Sequence, residues 1–159
     1  MDIAVSIAEE RWLQDLPEAP ALCRRAVAAA LAVAGLDGVA ELEVSILLAD
    51  DTLVRTLNRR FRGVDEATNV LSFPALECAP GQPPRATPGV PLPLGDVVLA
   101  LQTTQAEAAS IGKPLADHVS HLVVHGVLHL AGYDHESVAE ARAMAGLEAA
   151  ALRPYDAQR

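Results

Sequence analysis

Aromatic side chains are scarce in this chain: two Phe, two Tyr and one Trp make up 3% of its 159 residues. Its core must therefore be aliphatic. With 51% hydrophobic and 21% charged residues, it has the material for a single packed domain over residues 1–159. Long apolar runs are lacking as well, and those present break off short of the ~18 residues that a membrane-spanning helix needs. The N-terminal segment MDIAVSIAEERW has no basic start and meets Glu9 and Glu10, which argues against a secretory signal. Cys23 and Cys78 are the only cysteines, far apart and outside any C-x-x-C pattern; they read as reduced thiols of a cytoplasmic protein. Positive charge is also short. Twelve Lys and Arg stand against 21 Asp and Glu, a net charge of −9, which opposes nonspecific binding to nucleic acid but permits a local basic patch.

Hydrophobic periodicity supplies the elements. Ile3, Val5 and Ile7 alternate as a strand over 2–7, and Leu42, Val44 and Ile46 do the same over 41–49. A helix is expected over 17–35, between Pro17 and Pro20 at its start and Gly35 at its end. Asp50 or Asp51 caps a helix that runs to about Phe61, where Gly63 breaks it. Short strands follow over 69–73 and 95–101, then helices over 102–111, 114–131 and 136–152. Six of the eleven prolines fall between Pro80 and Pro93, so residues 79–93 are expected to form a loop. The expected fold is α/β (α+β): a small mixed sheet of about four strands, packed with about five helices.

The informative segment is His118–His135, HVSHLVVHGVLHLAGYDH, which holds all five histidines. His118, His121, His125 and His129 are spaced 3, 4 and 4, one stripe of a helix. At ~1.5 Å rise per residue, His121 and His129 lie about 12 Å apart along the axis and cannot share an ion whose Zn–N bonds are ~2.0–2.1 Å. A pair four residues apart can. Gly132 suits the left-handed turn that ends a helix, so the chain can double back and bring His135 over His125 and His129. The candidate triad is His125, His129 and His135, at the end of the long central helix. It would hold one zinc ion with a fourth position open, the arrangement of a catalytic site; three imidazoles accept nickel too. His121 is left with at most a supporting role.

The pattern H-x3-H-x2-G-x2-H matches the spacing of the metzincin proteases, H-E-x-x-H-x-x-G-x-x-H. Position 126, however, is Gly where those proteases carry their general-base Glu, and Met144 lies in a predicted helix rather than in a Met-turn. A metallopeptidase would need its base from elsewhere. The segment RTLNRRFRG offers phosphate chemistry instead. Arg55, Arg59 and Arg62 can share a helical face as a substrate-binding stripe, and Arg62, at the helix end, can project into a cleft.

Three blocks then point to a known family. HGVLHLAGYDH (125–135), LNRRFRGVDEATNVLSFP (57–74) and LGDVVLA (94–100) resemble, in the same order, the shared segments of the YbeY endoribonucleases. The resemblance implies a zinc-dependent hydrolase whose ligands match His125, His129 and His135 and whose catalytic arginine matches Arg62. It also implies single-stranded RNA as substrate and 3′-end maturation of small-subunit ribosomal RNA. Ribosome quality control in the cytoplasm follows, with the small subunit and assembly factors as partners. A different class, a non-catalytic ribosome-assembly factor with a structural metal, requires a fourth protein ligand such as Asp134 or His121. The proline-rich stretch is longer than the resemblance leads one to expect.

Overall fold

The structure is a computed structural model that describes residues 1–156; residues 157–159 of the expected domain lie outside the described residues. The elements run β1 (Asp2–Ile7), α1 (Arg11–Asp15), α2 (Ala19–Val33), β2 (Leu42–Ala49), α3 (Asp51–Arg62), β3 (Val70–Pro74), β4 (Leu92–Ala100), α4 (Leu101–Ser110), α5 (Leu115–Leu130) and α6 (Val138–Asp156). The four strands form one mixed sheet in the order β1-β2-β4-β3. β1, β2 and β4 are parallel, and β3 runs antiparallel to β4 with Ser72 opposite Val97.

Alternation along β2 sends Leu42, Val44, Ile46 and Leu48 into the main core, where they meet α2 and α5. The other face packs a smaller cluster, with Val54 of α3 against Leu71, Val98 and Ala100. α5 is nearly surrounded: Val119, Val123, Val124, Val127 and Leu128 are fully buried. The helix is apolar on almost every side because other elements cover it on almost every side. His118 is buried as well, whereas His121, His125 and His129 occupy the stripe that no element covers completely.

Two expectations needed correction. The helix α1 was not foreseen. It is five residues long, too short for a periodicity signal, and is held by Trp12, whose Nε1 donates to the Ala49 carbonyl at 2.8 Å. The loop expected over 79–93 ends earlier, because β4 begins at Leu92 and includes Pro93. Proline is tolerated there because β3 reaches only Gly95 along β4, so Pro93 has no β3 partner to bond.

Candidate metal centre

α3 is the first arm of the site. Asp50 caps it, its Oδ1 accepting from the Leu53 amide at 2.8 Å, while Asp51 bonds Thr103 at the start of α4. Gly63, with φ +72°, terminates it; its amide reaches the Asn58 and Arg59 carbonyls. That stop leaves Arg62 at the helix end, beside the edge strand β3. Its Nη2 donates to the Ser72 carbonyl at 3.2 Å, which fixes the side chain on the wall of a cleft of about 980 Å³. Ser72 works at both ends: its Oγ donates to the Gly126 carbonyl at 2.9 Å, tying β3 to α5 beside His125.

α5 is the second arm. Gly132 takes φ +101° after its last turn, and the Tyr133 amide returns to the Leu128 carbonyl at 3.0 Å. The chain reverses there, and the reversal brings His135 back over the helix. The rings of His125 and His129 have centroids 4.6 Å apart, and His135 lies 5.6 Å from the first and 5.2 Å from the second. One donor atom from each of the three histidines lies within 4.8 Å of the others. His125 Nε2 and His129 Nε2 are 3.1 Å apart. Two ligands of a tetrahedral ion at ~2.0–2.1 Å sit about 3.3 Å apart, so the pair is already near the spacing a zinc ion requires. The donor set fits a borderline-soft divalent cation such as zinc. Among the described residues the group contains these three imidazoles and no fourth protein ligand. His135 is exposed, and all three imidazoles line the cleft.

Burial holds the His129 pKa below the usual imidazole value, and the neighbouring charges of His125 and His135 lower it further. The ring is therefore kept neutral, the form that binds a metal. Glu148, on α6, sits behind the triad. Its Oε2 is 3.1 Å from His125 Nδ1 and 3.0 Å from His121 Nε2. Burial alone would raise this carboxyl's pKa, but the hydrogen bonds and charges of the two histidines prevail and hold it at about 2. His121, one turn before the triad, thus turns to Glu148 and stays out of the ligand group. His118 is buried and pairs with Glu107 at 2.9 Å.

Position 126 explains the missing base. A Cβ there would stand 2.8 Å from Val97 Cγ1 and 3.1 Å from Ser72 Oγ, so this helix face points into the sheet. A glutamate at 126 would be driven into the core and away from the cleft.

The arginine stripe separates. Of Arg55, Arg59 and Arg62, only Arg62 lines the cleft that holds the histidines. Arg55 is exposed and makes two hydrogen bonds to Asp65, at 2.9 and 3.2 Å. Helical spacing put the three on a common face, but the helix end alone reaches past β3. Two residues escaped the sequence reading. Ser72 lay inside the LSFP block but carried no chemical signal of its own. Glu148 lies 23 residues from His125, and no spacing rule links it to the triad.

With this geometry in place, comparison with known proteins is informative. The family model described as endoribonuclease YbeY matches residues 6–156. The chain belongs to the YbeY family. A curated YbeY endoribonuclease from Paramagnetospirillum magneticum is 54% identical over 155 residues, covering 96% of this chain and 90% of the relative. Another, from Rhodospirillum rubrum, is 50% identical, covering 94% of this chain and 76% of the relative. A solution structure of a Thermotoga maritima protein superposes with a TM-score of 0.55 over 98% of this chain and 93% of the other, at 19% identity. That likeness concerns the fold. No helix among the described residues is long and apolar enough to cross a membrane.

Proposed function

We propose that this chain is a zinc-dependent endoribonuclease for single-stranded RNA that acts in the cytoplasm. Its proposed role is to mature the 3′ end of small-subunit ribosomal RNA and to serve ribosome quality control. The small subunit and its assembly factors are the partners this reading names. The observation that carries it is the juxtaposition, in one cleft, of three converging imidazoles and the Arg62 guanidinium. Membership of the YbeY family supplies the reaction class.

His125, His129 and His135 would hold the ion. When bound there, zinc supplies Lewis acidity towards a phosphoryl oxygen and lowers the pKa of a coordinated water towards about 7. Arg62 spends one of its five N–H donors on the Ser72 carbonyl and keeps the others for phosphate oxygens. Its planar fork suits a phosphodiester whose charge grows during cleavage. Ser72 keeps that fork in register with α5 through the Gly126 carbonyl. Arg55 and Arg59 lie outside the cleft wall, so a contribution from them is to the approach of RNA rather than to the reacting bond. Among the described residues Arg62 is the only Lys or Arg on the cleft wall, beside Glu107, Asp134 and Glu136, so in this acidic protein the positive charge offered to RNA there would come from Arg62 and the bound cation.

The test is metal content measured beside cleavage of single-stranded RNA, of duplex RNA and of a peptide library, each with and without chelator. The reading expects about one zinc per chain and chelator-sensitive cleavage of the single strand alone. Peptide hydrolysis without RNA cleavage would overturn it in favour of a metallopeptidase, and zinc binding without either activity would favour an assembly factor.

A further inference from the structure

We infer that α6 is part of the metal centre, with Glu148 as the positioning residue that aims His125 at the ion. The inference rests on the metal-site reading above and extends it to a helix that the triad does not involve.

Along α6, Met144, Leu147, Glu148 and Ala151 fall on one helical stripe, and Met144 and Ala151 are buried in the main core. Glu148 therefore occupies a core-facing position, and its side chain is only 14% exposed. Packing alone would be served better by a hydrocarbon, because a buried carboxylate loses hydration that its partners must replace. Both of its hydrogen bonds go to histidines of α5, and both end on the same oxygen, Oε2.

The consequence for His125 is a defined tautomer. A carboxylate only accepts, so His125 Nδ1 must carry the proton. The lone pair then resides on Nε2, the nitrogen that stands 3.1 Å from His129 Nε2 on the metal side. Such a carboxylate also raises the basicity of the ligand imidazole and resists rotation of its ring. His121 has a place in this arrangement. Its Nε2 donates to the same Oε2, so the carboxylate is gripped from one helical turn earlier and cannot swing away from His125.

The experiment uses the full chain and zinc itself. Zinc affinity is measured by competition with a chromophoric chelator for the unmodified protein, Glu148→Gln, Glu148→Ala and His121→Ala, with His125→Ala as the ligand-loss control. Cobalt loading adds the visible spectrum of a tetrahedral site as a second readout. Glu148→Ala is expected to weaken zinc binding ~10–100-fold and to alter the cobalt spectrum. Glu148→Gln should fall in between, because its amide oxygen still accepts from Nδ1, and His121→Ala should lose less than Glu148→Ala. A residue that merely packed α6 would lower the unfolding temperature of the metal-free protein and leave zinc affinity unchanged. That result, in either Glu148 variant, overturns the inference. Should Glu148→Ala fail to fold, Glu148→Gln decides, since it preserves the side-chain volume. Failure of the unmodified protein to bind zinc sinks the function proposed above together with this inference, whereas normal zinc affinity in the Glu148 variants sinks the inference alone.

Discussion

Gly126→Ala asks whether the second position of the HGVLH segment is glycine for reasons of packing. In an exposed helix interior the change would stabilise the chain by about 1 kcal/mol, because alanine is the better helix former. Here the new methyl would lie 2.8 Å from Val97 Cγ1, 3.2 Å from Val97 Cγ2 and 3.1 Å from Ser72 Oγ. Val97 is fully buried, and Ser72 is held by its bond to the Gly126 carbonyl, so neither can retreat freely. Overpacking a filled core typically costs about 1–3 kcal/mol. Taking ~2–3 kcal/mol for this overlap and subtracting the propensity gain of ~1 leaves a net loss of about 1–2 kcal/mol. At ~2–4 °C per kcal/mol for a chain of this size, the melting temperature of the metal-free protein should drop by roughly 2–8 °C. The overlap also pushes α5 from β3 and β4, so the Ser72 bridge loosens and Arg62 loses its register with His125. Calorimetry on the metal-free protein measures the first effect, and cleavage of single-stranded RNA measures the second. A rise of a few degrees in Gly126→Ala would refute the reasoning, since it would mean that α5 and the sheet have room to spare.

Other perturbations separate the parts of the site. His129→Ala should lose both bound zinc and RNA cleavage, read by elemental analysis beside a gel assay. Arg62→Glu should keep its zinc and lose cleavage by at least ~100-fold, the scale expected when a donor to developing charge is removed; full activity would take Arg62 out of the mechanism. Gly132→Ala should destabilise the protein by about 2–4 kcal/mol and weaken zinc binding: φ is +101°, and a Cβ would overlap the Cys78 carbonyl, so the reversal that delivers His135 cannot keep its path. Zinc occupancy should fall as pH drops. The ligands must be neutral imidazoles, and the lowered His129 pKa keeps that ring available to lower pH than an ordinary histidine; equilibrium dialysis from pH 8 to pH 5 measures it, and occupancy indifferent to pH would contradict imidazole ligation.

Much of this protein is legible along the chain because the relevant physics is local. Alternation in IAVSI and in LEVSILLA marks strands, since side chains project with a period of two. Four-residue spacing on a helix forces His125 and His129 into neighbourhood, and the glycine turn at 132 permits His135 to return. Those are statements about rise per residue and backbone freedom, so they need no tertiary partner. What the tertiary structure decided concerns groups that meet across elements. Helical spacing could not say which arginine clears the edge of β3, and only the end of α3 does. It could not say that position 126 faces Val97, nor that Ser72 bridges Arg62 to α5. Least of all could it find Glu148, whose link to His125 and His121 arises only when α6 docks against α5. A residue's neighbours along a helix follow from covalent geometry, but its neighbours across a core follow from how whole faces are buried, and one local stretch of chain does not contain that information.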